Sequence, residues 1–364
     1  MNYTLFVLIG MIFIFFLVDF IAKLVSPDNS LGSGIIAAGI ELIVGSFPAI
    51  IDEFVGLLSF QITGTQASDD VNIWSLIAGF VLLVVGILIL VFIRDRFYVL
   101  NMFGLYSQRE IGDKQNVKQL KLNDYKIRER LIDFVNVFNM GIDETTNSII
   151  VNKIEDECTK FRNRSVEFKK GFTGTAPIPY TILAGTYLVD CEPKSFFEWK
   201  RDEEKFIELS RKKKPDYPEL KIKEMDNPNV DSESVIVAIS TTRRIEKHQL
   251  RDFSEQDIIE IYLDDCMDNN ITYVKQLQSY RKVILDELEV LGREKYPHLN
   301  QINLVASVPS CLSLEIGRMI AQNNSRVKKI VAYHFVNQGT KLYPLGITVT
   351  ESQGQYKKGE LIEN

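Results

Sequence analysis

Residues 172–185 read FTGTAPIPYTILAG, and residues 304–317 read LVASVPSCLSLEIG. Each stretch opens apolar, passes through small and hydroxyl residues, meets a proline, and continues as an apolar run at helical spacing. Thr175-Ala176-Pro177 aligns with Ser307-Val308-Pro309, and a glycine follows each proline by eight residues, Gly185 and Gly317. A strand-like run comes after each helix, KSFFEWKR at 194–201 and KKIVAYHF at 328–335, with Trp199 and Tyr333 at matching places. The pattern is an internal duplication of one strand–turn–helix–strand unit, with a two-residue difference between helix and second strand.

Such a unit predicts a parallel sheet, because strand, helix and next strand join through a right-handed crossover. The strand-to-helix turns then lie at the carboxyl ends of the strands, where open α/β sheets bind ligands. Helix N-termini leave backbone N–H groups unpaired at that edge and favour anions. Proline suits a first turn, having no N–H to satisfy. Two such edges facing each other predict one composite, pseudo-twofold pocket that holds phosphates without a basic surface. The chain needs such a device, since 42 Lys+Arg stand against 48 Asp+Glu in 364 residues, a formal net charge of −6. A balance of that sign argues against a duplex-DNA surface.

Several chemistries are missing. The sequence has no GxxxxGK[ST] loop, no GxGxxG after a strand and no GxSxG elbow. Cys158, Cys191, Cys266 and Cys311 have no zinc spacing, and His248, His298 and His334 have no paired spacing, so no metal or other cofactor is expected. Ser310 or Cys311 with His334 can be drawn as nucleophile and base. The other copy offers Pro179 and Lys200 instead, so the chain is expected not to be an enzyme.

The N-terminal quarter has a different composition. Residues 1–98 hold three Lys/Arg, eight Asp/Glu and most of the unbroken apolar runs. Two runs, 4–25 with Asp19 inside and 73–93 without a charge, reach the roughly 20 residues a helix needs to cross a bilayer. A signal peptide does not fit the first, because no basic residue precedes it and no small-residue cleavage site follows. Residues 26–72 carry no Lys or Arg and residues 94–130 carry nine, which places the larger C-terminal part in the cytoplasm. Between the runs, 34–60 reads as an amphipathic helix on the outer membrane surface, or as a third span or re-entrant segment. A small or acidic stripe runs along it through Gly34, Ala38, Glu41, Gly45 and Asp52, and the second run has a small face at Gly79 and Gly86. Asp19, Glu41, Gly45, Asp52, Gly79 and Gly86 are the candidate membrane-assembly residues. Residues 116–164 read as helices broken at Gly141, and 210–232 as a polar loop.

TGTAPIPYTILAG at 173–185, the strand ending Trp199-Lys200-Arg201, VIVAISTT at 235–242 and ASVPSCLSLEIGRMI at 306–320 together resemble the SAVED family. That family fuses two CARF-like, Rossmann-type halves and senses cyclic oligonucleotides in bacterial anti-phage CBASS systems. The resemblance implies a transmembrane α-hairpin (1–98), a juxtamembrane linker (99–130) and an α/β SAVED sensor (131–357) with halves at about 131–265 and 266–350. It implies a cyclic trinucleotide ligand, usually adenine-containing, made by a partner cyclase of the CD-NTase type. Ligand binding is expected to assemble the protein into homo-oligomers, and the output falls to the membrane part, since no nuclease or protease motif is fused: the clustered spans are expected to disrupt or perforate the membrane and so abort infection. The location implied is the bacterial inner membrane. A membrane-anchored receptor without a pore, or a nuclease acting on the bound ring, stays open.

On this reading Thr173, Gly174, Thr175 and Pro177 form the first anion-binding turn, and Ser307, Pro309 and Ser310 the second. Trp199 stacks on a base, as aromatic faces do in single-strand binders. Lys200 and Arg201 pair with phosphates, Thr241, Thr242 and Arg243 line the same edge, and His334 corresponds to Lys200 in the second copy.

Overall fold

A computed structural model describes residues 34–42, 73–92, 95–107, 110–200, 202–212, 216–253, 255–322, 329–337, 339–352 and 354–364. The first apolar run with Asp19, the stripe positions Gly45 and Asp52, and Arg201 lie outside the described residues. The chain divides into two units, Met1–Asp95 and Arg96–Asn364.

In the first unit, helix α1 (34–42) touches helix α2 (Ile73–Phe92) through backbone. A Cβ on Gly39 would stand 2.9 Å from both the Gly79 carbonyl oxygen and the Leu83 amide nitrogen, so only glycine permits this approach. Ile36, Leu83, Gly79 and Gly86 are buried, whereas Gly34, Ala38 and Glu41 are exposed. The described part of the small-and-acidic stripe is therefore exposed, and the close helix–helix approach runs through Gly39. Among the described residues no helix is long and apolar enough to cross a membrane. The 20 residues of α2 include no charge, and its described side chains run from 77 to 88.

The second unit holds two sheets. The first has the order β2-β1-β3-β4-β5, with β1 (Asp95–Phe103), β2 (Tyr125–Asp133), β3 (Lys169–Gly174), β4 (Ser195–Lys200) and β5 (Lys205–Glu208). β1, β3 and β4 are parallel, and β5 returns antiparallel. Three helices accompany it, α3 (Lys114–Gln119), α4 (Val135–Asn139) and α5 (Glu144–Arg164). The second sheet runs β12-β11-β10-β9-β7-β8-β6. Its parallel centre is β7 (Ser234–Ser240), β8 (Asp257–Tyr262), β9 (Gln301–Ser307) and β10 (Lys329–His334). β6 (Lys221–Lys223), β11 (Leu345–Thr348) and β12 (Leu361–Glu363) extend it antiparallel. Parallel strands covered on both faces read as unbroken apolar runs, and β7 is buried from Val235 to Ser240.

The duplicated unit is present as β3–α6–β4 and β9–α8–β10, with α6 at Ile178–Thr186 and α8 at Ser310–Gln322. α7 (Val274–Val290) packs on α8. Both repeat helices are buried over most of their length, and they pack on each other.

Three expectations need correction. Residues 116–164 are not helical throughout: β2 occupies Tyr125–Asp133, where Tyr125 and Ile127 alternate with Lys126 and Arg128 at strand period. Gly141, at φ +98, does separate α4 from α5, a conformation that favours glycine. The stretch 99–130, expected as a linker, carries most of β1, all of α3 and the start of β2. β1 is apolar on both faces, with Phe97 and Val99 in one core cluster and Leu100 and Met102 in another, so it reads as a continuation of the membrane run. The halves also divide earlier than residue 265, because β7 pairs with β9 and so belongs to the second sheet.

Candidate functional site

The turn after β3 and the turn after β9 open into one cavity of about 670 Å³, lined by Gly174, Thr175 and Pro177 from one repeat and Val308, Pro309 and Ser310 from the other. Pro177 caps α6 with extended backbone (φ −54°, ψ 142°). Three bonds pin the first turn. The Thr175 amide donates to Met102 O at 2.7 Å, its hydroxyl donates to Tyr106 O at 2.7 Å, and the Leu105 amide donates to Thr175 O at 3.0 Å. A Cβ on Gly104 would meet Pro177 Cδ at 2.6 Å, so the loop after β1 closes on this turn only with glycine there.

At the second turn Ser307 is engaged internally. Its hydroxyl lies 2.9 Å from Thr242 Oγ1 and accepts from the Arg243 amide at 3.1 Å, and its carbonyl accepts from the Thr241 and Thr242 amides at 2.9 Å each. Ser307 thus ties the loop after β7 to the end of β9. Thr242 and Arg243 line the cavity. Thr173 and Thr241 are buried beneath it, and the Oγ1 of each has no hydrogen-bond partner.

Trp199, Lys200 and His334 also line the cavity. Trp199 packs edge-on to Phe206 at 4.9 Å between centroids. Lys200 pairs with Glu203 and, at 3.6 Å, with Asp202, so part of its charge is met within the chain. His334 stands edge-on to Phe138 at 5.4 Å, and burial lowers its pKa to about 4. It is therefore neutral near pH 7 and offers a phosphate no positive charge.

Sequence reasoning missed Glu198. Its side chain lines the cavity, accepts from the Cys311 amide at 2.9 Å and from the Ser310 hydroxyl at 3.4 Å, and so sits on the N-terminus of α8. A carboxylate there meets the helix dipole that an incoming anion would otherwise find free. The first repeat thereby caps the second, and the N-terminus of α8 is already occupied. Burial raises the Glu198 pKa above the ordinary carboxylate value, with the bonds from Cys311 and Ser310 opposing it. The signal available was one acid set in the apolar strand SFFEWK. Burial, followed by the charge of Glu198, pushes the Cys311 thiol well up, which keeps it protonated.

Two lining cations, Lys200 and Arg243, face three lining acids, Glu198, Asp202 and Asp268. The described lining is not basic, so selection rests on hydrogen-bond geometry more than on bulk charge. Among the described residues no cluster of three or more His, Cys, Asp or Glu side chains stands ready to hold a metal.

Comparison with known proteins adds a family. The family described as "SMODS-associated and fused to various effectors sensor domain", SAVED, matches residues 154–349. No curated protein matches the chain. Among solved structures, the Acinetobacter baumannii Cap4 SAVED/CARF-domain containing receptor with the cyclic trinucleotide 2'3'3'-cAAA is similar at 12% identity and a TM-score of 0.47. The same receptor with 3'3'3'-cAAA gives 12% and 0.46. Each likeness covers 84% of this chain and 61% of the receptor chain, so the chain spans about three fifths of that receptor's length.

Proposed function

Because the chain belongs to the SAVED family of sensor domains, we propose that its cavity binds a cyclic trinucleotide signal, adenine-containing, in bacterial anti-phage defence. The observation that carries this reading is the meeting of the two repeated turns, at Pro177 and Pro309, in one cavity of about 670 Å³. That volume falls within the range of about 300–1,000 Å³ usual for small-molecule sites. The Thr175–Pro177 turn and Arg243 hold phosphate, Trp199 supplies an aromatic face, and Thr242 offers a hydroxyl at the same edge. The ring comes from a cognate cyclase.

The N-terminal unit is the effector. Its described helix α2 has no charged residue, and Ile77, Phe80, Val81, Val84, Val85 and Leu88 are exposed on it. A patch of that kind calls for an apolar neighbour, a partner or a membrane. In this reading the unit sits in the bacterial inner membrane, the sensor lies on the cytoplasmic side, and ring binding brings copies together so that the clustered helices disrupt or perforate the bilayer. Ring binding drives assembly only to the extent that the assembled state binds the ring more tightly.

The test is dye release from liposomes holding the full chain, with and without cyclic triadenylate, with the nucleotide recovered afterwards. Release that depends on the nucleotide, with the ring recovered intact, supports the reading. Release indifferent to the nucleotide rejects the gating, and recovery of linear product replaces the effector with a ring-cleaving enzyme.

A further inference from the structure

A second cavity, of about 560 Å³, opens on the face of the first sheet opposite Phe97 and Val99, and Arg96, Tyr98, Arg128, Arg130, Arg164 and Phe168 line it. We propose that it binds the phosphate of an anionic phospholipid headgroup. Four arginines in one cavity are unexpected in a chain of net charge −6. They come from three elements: Arg96 from β1, Arg128 and Arg130 from β2, and Arg164 from the last turn of α5. Arg130 is held by Glu157 at 3.3 Å. Arg96, Arg128 and Arg164 have no carboxylate within 4 Å among the described residues.

Among the described residues the only acid lining the cavity is Glu129, whose carboxylate already accepts from Asn101 Nδ2 at 2.6 Å and from the amides of Ile111 and Gly112 at 3.2 and 3.0 Å. Three guanidinium groups are thus left to an outside anion, and guanidinium matches phosphate by paired N–H donors. The floor is aromatic. Tyr98 and Phe168 lie 5.4 Å apart, and the Arg96 guanidinium stands 5.6 Å from the Phe168 centroid. The lipid source is favoured over free phosphate by the chain itself, because Arg96 follows the last residue of the uncharged helix α2, Phe92, by four positions. Basic clusters next to a membrane segment attract anionic headgroups.

The inference rests on the reading that the N-terminal unit enters a bilayer. The experiment reconstitutes the full chain into nanodiscs of phosphatidylcholine, with or without phosphatidylglycerol, and follows the thermal unfolding midpoint. The wild type should gain stability with phosphatidylglycerol. The Arg128→Gln variant, changed at an exposed side chain, should lose part of that gain, and Arg96→Ala/Arg128→Ala/Arg164→Ala all of it, with midpoints in pure phosphatidylcholine unchanged. An identical midpoint in both lipids, or a gain that survives the triple change, overturns the site. An equal gain from inorganic phosphate in pure phosphatidylcholine overturns the lipid assignment. A chain that fails to enter the discs removes the membrane reading itself, a separate outcome.

Discussion

A side chain on Gly185 would strike the facing helix, its Cβ falling 3.0 Å from Gly317 Cα and 2.9 Å from the Arg318 amide nitrogen. The glycines that follow the two prolines by eight residues are therefore the crossing point of the repeat helices, where α6 and α8 meet backbone to backbone. The close approach brings the two turns to one cavity. A Cβ on Gly317 would overlap the Ile182 carbonyl in the same way.

Gly185→Val should consequently force the helices apart. Overpacking of a tight core costs about 1–3 kcal/mol, and ring binding should weaken as the turns separate. Thermal unfolding and calorimetric titration of the same variant check both effects. A variant with wild-type midpoint and affinity would show that the crossing does not set the cavity.

Glu198 gives a pH dependence of defined sign. Its carboxyl binds a proton more tightly in the folded chain than in the unfolded one, because burial raises its pKa. Acidification through that raised pKa therefore stabilises the folded state, and the effect is lost as pH rises through it again. Glu198→Gln keeps an acceptor for the Cys311 amide and removes the titration. The wild type should gain on the variant as pH falls, and parallel midpoint curves would contradict the assignment. Glu129, whose pKa is also raised by burial, contributes equally to both proteins and cancels.

Glu315 lies buried between Arg281 and Arg318, with Arg318 Nη1 at 2.6 Å. Arg318 also donates to Leu188 O at 3.1 Å and so ties α8 to the chain just after α6. Glu315→Ala would leave the buried Arg318 without a carboxylate and Arg281 with Glu192 alone, at 3.8 Å, and breaking a buried pair in this way costs about 3–5 kcal/mol. Chemical denaturation measures it. A loss under about 1 kcal/mol would place the group in water.

Much of this was legible in the sequence. The repeat, its prolines and its paired glycines are local patterns, and the two parallel units follow from them. Other features depend on contacts between distant residues. β1 is apolar on both faces and cannot be told by pattern from the end of a membrane helix. β7 and β8 join the strands of the second repeat through the pairing of β7 with β9, some 67 positions on between Ser234 and Gln301. The Glu198 cap joins residues 113 apart, and no spacing within either repeat announces it. His334 looks like a cation donor in sequence and is neutral because the fold buries it.

Arg243 lines the cavity and is exposed. Arg243→Ala should weaken ring binding about tenfold, in keeping with a hydrogen bond to a charged group, and leave the unfolding midpoint unchanged. Equal affinity would move the phosphates elsewhere in the cavity.

The measurement closest to the central claim is calorimetric titration of the full chain in detergent against cyclic triadenylate and a panel of cyclic dinucleotides and trinucleotides. Saturable binding of a cyclic trinucleotide at one site per chain, weakened by Arg243→Ala and by Gly185→Val, is the predicted result. Failure of every ring to bind, or binding untouched by both substitutions, would contradict it.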